Sequence, residues 1–206
     1  MKTYRIKMLD HIPCENCWKK IEKAEINECV WGDAYKPVCY AQVVYVKGDG
    51  FWARLTCEEA NPKAVHTGFF SDVYKDSCLE LFAQWDDTSD RYINIEMNSI
   101  GASLIAIGAD RNARTPIDQI IKTPFPVTAE KKENEWSVTV HIPEKDLETI
   151  YGMSCEKFVP GYTIRGNFYK CGDETEIEHY VMWNPVETPK PDYHRPEYFA
   201  NMVITE

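Results

Sequence analysis

The chain has 206 residues, 44% of them apolar and 27% charged, with a formal net charge of −10. That is enough chain for one domain with a full core, and the composition is that of an ordinary soluble globular protein. The acidic balance argues against nucleic acid or an anionic membrane as partner, because phosphate contacts need clustered Lys and Arg. No apolar run reaches the about 18 residues of a membrane-spanning helix.

In chain order, residues 1–30 read as an N-terminal strand ("KTYRIKML") followed by an extension of unassigned role. The first residues lack the apolar stretch and small-residue cleavage site of a secretory leader. The expected location is therefore the cytoplasm, or outside the cell if a leader has been removed. Cys14 and Cys17 form a CxxC. With His11 and Cys29 it reads as half a zinc site, a redox pair or ordinary thiols; no second CxxC or HxxxH favours zinc. Most of the eight cysteines are expected to be reduced. Cys17–Glu28 reads as one short helix.

Strand signals dominate the rest. Two β-rich runs flank Gly48-Asp49-Gly50, a hairpin turn. In the second run Phe51, Ala53, Leu55 and Cys57 share one face. Cys78–Trp85 is apolar on both faces except at Glu80 and reads as a central, covered strand. Tyr92–Asn98 and Trp136–Ile142 alternate cleanly, the latter with Trp136, Val138, Val140 and Ile142 inward. Glu144–Tyr151 reads as a short helix after Pro143. Tyr162–Gly172, the run ending at Trp183 and Ala200–Glu206 supply the last strands. Many short strands and little helix predict an all-β, antiparallel β-sandwich of one domain over 1–206, with one or two short helices.

Four features suggest a binding surface. The strand Tyr92–Asn98 puts Tyr92, Asn94, Glu96 and Asn98 on one face, a row of planar hydrogen-bonding groups without lysine. Thr163, Arg165, Asn167 and Tyr169 repeat the theme, with Gly166 marking a bulge or close approach. Glu80 interrupts a run fit for burial, so it must be paired, with Arg91 or Arg165 as candidate partners, or open to a pocket. The last feature is "HYVMWNPVETPKPDYHRPEYF" (179–199), with five aromatics and four prolines in 21 positions. Rigid aromatics make contact surface at low entropic cost. Tyr198 and Phe199 suit a plug at the sandwich end, Trp183 suits either plug or ligand contact, and Tyr193, beside His194, suits display. Aromatic faces with Asn, Glu and Arg edges fit a neutral sugar, whose ring has C–H faces and a hydroxyl rim. Glu80 and Glu96 lie on different strands and allow a glycosidase pair as the alternative. No Walker loop, GxSxG, HExxH or dinucleotide motif occurs, and no cofactor is expected.

The segments "DVYKDSCLELF", "YINIEMNSIG", "WSVTVHIP", "NFYKCGD", "HYVMWNP" and "PDYHRPEYFANMVI" occur in that order. Together they resemble bacterial proteins related to family 9 carbohydrate-binding modules, from about Trp31 onward. The resemblance implies a DOMON-like, immunoglobulin-like β-sandwich and non-catalytic binding of a mono- or oligosaccharide. It implies that Tyr74 and Tyr193 hold a terminal sugar between two rings, and that Glu80 and Asn167 engage hydroxyls, with Arg91 or Arg165 in place of the family's basic residue. Some family members hold structural calcium; no dense Asp/Asn loop marks such a site here. The residues expected at the ligand are thus Tyr74, Glu80, Asn94, Glu96, Arg165, Asn167, Trp183, Tyr193 and His194. A glycoside-active enzyme and an intracellular protein-interaction module with a vestigial cleft are the alternatives.

Overall fold

The computed structural model describes residues 1–206. The expected sandwich is present. One layer contains β5 (Cys78–Gln84), β6 (Tyr92–Asn98), β7 (Ser103–Gly108), β8 (Arg114–Pro116), β11 (Thr163–Gly172) and β12 (His179–Met182). The other contains β2 (Ala24–Ile26), β3 (Cys39–Val46), β4 (Gly50–Cys57), β9 (Val127–Lys131) and β10 (Trp136–Pro143). Two strands join the layers into one curled, hydrogen-bonded path. β13 (Ala200–Thr205) pairs with β11, and β1 (Thr3–Leu9) lies between β13 and β3. β1 runs parallel to both neighbours, with Lys7 opposite Val44 on one side and Thr205 on the other. The other ladders are antiparallel, so the expected antiparallel order fails only at this seam.

Period-2 alternation fills the space between the layers. Leu79, Leu81, Ile93, Ile95 and Phe168 meet Val43, Phe51, Leu55, Val138 and Val140 in one apolar cluster of 39 buried residues. Full burial of each such side chain stabilises by about 1.5–3 kcal/mol. The β3–β4 hairpin turns at Gly48 as expected, at a φ of 83° that favours glycine. Gly166 is a close approach: a Cβ there would lie 2.7 Å from Phe82 O.

Two expectations change. The helix expected over Cys17–Glu28 shrinks to one turn, α1 (Glu15–Trp18), followed by β2. Ala24 and Ile26 are buried and Glu25 is exposed, a strand period, and β2 pairs with β3. The second helix, α2 (Glu144–Tyr151), forms where expected and ends at Gly152 in the left-handed region. The row Tyr92, Asn94, Glu96 and Asn98 is not open surface. All four are buried. Asn98 Nδ2 donates to Asp76 Oδ2 at 2.9 Å and His66 O at 2.8 Å, while Phe199 packs edge-on against Tyr92. Loops therefore cover the outer face of this layer, except over one hollow.

Candidate ligand site

A cavity of about 360 Å³ opens on the outer face of β5, β6 and β11, within the size range of small-molecule sites. Alternation sends Glu80 and Phe82 of β5, Glu96 of β6 and Cys171 of β11 into its floor. Three segments raise its walls. A single 3-10 turn, Val73–Lys75, brings Tyr74. The β7–β8 hairpin brings Arg111 and Arg114. The Pro-rich segment brings Asp192, Tyr193 and His194.

The floor is set by two acids. Glu80 and Glu96 are register partners across the β5–β6 ladder and are 2% and 3% exposed. Glu80 Oε1 accepts from Cys171 Sγ at 3.0 Å. Neither expected arginine reaches it: Arg91 Nη2 donates to Ile150 O and Arg165 Nη2 to Phe199 O. Burial, and then the neighbouring Glu96, push the Glu80 carboxyl well above the usual range. Burial therefore favours the protonated form of Glu80, which can donate as well as accept. Burial also raises Glu96, to about 7, against the pull of Arg114 and the amide of Asn94. Arg114 Nη1 lies 3.7 Å from Glu96 Oε1 and makes no hydrogen bond.

The expected display of Tyr193 does not occur. Its ring is 8% exposed and stacks on Tyr169 with centroids 3.9 Å apart and planes 12° from parallel. Its hydroxyl donates to Lys170 O and Val181 O, each at 3.1 Å. One face is thus taken by protein, and the ring forms a fixed wall of the cavity, not a free clamp. Tyr74 and Tyr180 are half-buried wall residues. His194 shares a hydrogen bond with Tyr92 Oη at 2.8 Å. Burial, and then Arg114 and Arg111, lower its pKa to about 3, so the imidazole is neutral.

Of the nine residues expected at the ligand, Tyr74, Glu80, Glu96, Tyr193 and His194 come together here. The other four lie outside the lining. Asn94 supports Glu96, donating from Nδ2 at 3.0 Å. Asn167 clamps the turn at Asn184. Arg165 ties β11 to Phe199. Trp183 sits in the main core against Tyr4 and Phe168. Sequence reasoning missed Arg111, Arg114, Asp173, Tyr180 and Asp192. Alternation would place Tyr180 and Asp173 only once the β11–β12 pairing is known. Nothing in "ADRNARTP" marks the two arginines. At the N-terminus Cys14 Sγ lies 3.0 Å from Cys17 Sγ, and His11 Nε2 lies 3.5 Å from the latter. Cys29 packs against the main core, and all eight thiols are free.

The model of carbohydrate-binding family 9 matches residues 10–204. The chain belongs to carbohydrate-binding family 9. Family 9 similarity therefore reaches back past the CxxC, further than the expected start near Trp31. A candidate carbohydrate-binding protein from Bacteroides uniformis is 25% identical, with a TM-score of 0.82, 98% of this chain and 99% of that one being covered. Family 9 modules from Caldicellulosiruptor kristjanssonii, solved with cellotriose and with glucose, share the fold at 7% identity and a TM-score of 0.70. The alignments cover 99% of this chain and 94% and 96% of theirs. No curated protein matches the sequence.

Proposed function

We propose that the cavity binds the end of a neutral mono- or oligosaccharide without transforming it. The observation that carries this reading is the composition of the hollow. Aromatic walls at Tyr74, Tyr180 and Tyr193 surround a floor of two buried carboxyls, Glu80 and Glu96, with Arg111 and Arg114 at the rim. Ring faces suit sugar C–H groups, and two carboxyls that burial pushes toward protonation, Glu80 well up and Glu96 to about 7, offer donors as well as acceptors to hydroxyls. Family membership supports it, as do the two family 9 modules of the same fold that hold cellotriose and glucose.

One observation favours a second reading. Glu80 and Glu96 are neighbours across one ladder, and a retaining glycosidase also uses two nearby carboxyl groups, about 5–5.5 Å apart. That mechanism needs one ionised nucleophile facing an acid across the scissile bond. Here the two groups stand side by side in one floor, on the same side of anything bound above it. Binding is therefore the better account. Calorimetry with glucose and cellotriose tests it: dissociation constants from micromolar to millimolar are expected, about −8 to −4 kcal/mol. Tyr74→Ala is expected to weaken binding at least tenfold. A folded wild type giving neither heat nor a melting-temperature shift with a panel of neutral sugars would overturn the proposal. Turnover of a chromogenic glycoside, lost in Glu96→Gln, would select the enzyme instead.

A further inference from the structure

Two soft donors and one hard donor meet in the floor of the cavity. Cys78 and Glu80 leave β5 on the same face, two residues apart, and Cys171 is the register partner of Cys78 across the β5–β11 ladder. Their two Sγ atoms and a carboxylate oxygen all lie within 4.8 Å of one another. Tetrahedral zinc, with Zn–S of about 2.3 Å and Zn–O of about 2.0–2.2 Å, sets its donors roughly 3.5–3.8 Å apart. Side-chain rotation alone closes that difference, because the backbone positions are fixed by a ladder at the centre of the sheet.

We infer that Cys78, Glu80 and Cys171 form a site for a thiophilic divalent cation, zinc above the others, with one coordination position open to the cavity. Two thiolates select zinc-like ions over calcium or magnesium, which take oxygen ligands. Glu80 and Cys171 line the cavity and Cys78 sits behind them, so the ion enters from the hollow and keeps a position there for water or a ligand hydroxyl. Glu80 also fits the role for a second reason: it is a buried acid whose hydrogen-bond partner is the Cys171 thiol and which has no arginine or lysine at ion-pair distance. Binding releases the two thiol protons and the Glu80 proton to solvent, leaving a complex with one net negative charge and no change of oxidation state. The cation site does not draw on the saccharide proposal, although the two share Glu80: with the cation bound it is a carboxylate ligand, not a free acid facing a hydroxyl.

The test uses the full chain stripped of metal, in a Cys14→Ser/Cys17→Ser background that removes the exposed dithiol. One equivalent of cobalt(II) is expected to produce thiolate-to-metal charge-transfer absorption that zinc(II) bleaches. Cys171→Ser should abolish the band, and Glu80→Gln, nearly isosteric, should weaken cobalt binding at least tenfold. Absence of the band in the dithiol-free background, or its persistence in Cys171→Ser, would overturn the inference. Should Cys171→Ser fail to fold, Glu80→Gln decides alone, and unchanged cobalt affinity refutes the site. The readout is absorbance without sugar, so its failure is distinct from failure of the calorimetric test.

Discussion

Asn167 uses its side chain entirely within the protein. Nδ2 donates to Asn184 O at 2.8 Å, and Oδ1 accepts from the backbone N–H groups of Phe168 and Asn184, each at 2.9 Å. Replacing it by alanine strands several buried polar groups, at about 1–3 kcal/mol each. Asn167→Ala is therefore expected to lose about 2–4 kcal/mol in chemical denaturation, with the sugar affinity of the folded fraction unchanged within about twofold. A tenfold affinity loss at full stability would instead place the amide on the ligand. Arg114 is the opposite case. Its charge holds the Glu96 carboxyl down against burial. In Arg114→Ala the Glu96 titration, followed by carboxyl NMR, should move above about 7, and saccharide binding should weaken about tenfold, as for a lost charge-assisted hydrogen bond. Glu80 was legible in the sequence because a charge inside an apolar run demands a reason. Arg114 was not, because "DRNARTP" looks like any polar turn and its position depends on a hairpin formed with distant neighbours.

Elements with a clean period, β6, β10 and α2 among them, are legible in the sequence, as are the continuous apolar run of β5 and the β3–β4 turn. The failures have one physical cause: alternation gives a face but not what covers it. β6 reads as half-open, yet tertiary loops bury its polar row, and the Pro-rich segment that reads as display is a lid whose Tyr193 is stacked from behind. β2, at three residues, is too short to outweigh the helical look of its surroundings. Two predictions belong at this scale. Gly166→Ala would push a Cβ against Phe82 O and Ala83. It should cost about 1–3 kcal/mol by overpacking the β5–β11 ladder, read as a lower melting temperature. Lys157 ties the segment after α2 to the β5–β6 turn, with Nζ 2.6 Å from Asp86 Oδ1 and 2.8 Å from Asp87 Oδ1. Burial works to raise Asp86, but the bonds from Lys157 and Thr88 outweigh it and hold the carboxyl below its usual value. A depressed acid stabilises the fold above its unfolded pKa of about 3.9, and that contribution is lost as pH falls through the lower folded value. Lys157→Met should lower stability by about 1–2 kcal/mol at neutral pH and flatten the acid limb below about pH 4. A melting curve series whose acid limb keeps the wild-type slope would refute this.

At the scale of the whole molecule, the sandwich was legible from strand count and turn spacing, while the parallel seam was not, since no local pattern encodes which distant strand a terminal one will join. The seam pairs Thr3 with Asn201 and Lys7 with Thr205. Tyr4 pins it from within: its hydroxyl donates to Glu22 O and accepts from Val43 N, both at 2.8 Å. Removing residues 200–206 would strip β1 and β11 of a neighbour each and leave two raw sheet edges. Such a truncation is expected to yield aggregated or proteinase-sensitive chain, whereas Tyr4→Phe should fold with a loss of about 1–2 kcal/mol.

Contacts of such long sequence separation come late, because loop closure must precede them. During synthesis β1 is made long before β13 and stays unmated on that flank until β13 has been translated. For that interval an alternating strand is open to pairing with another copy, and its exposed charges at Arg5 and Lys7 disfavour such pairing.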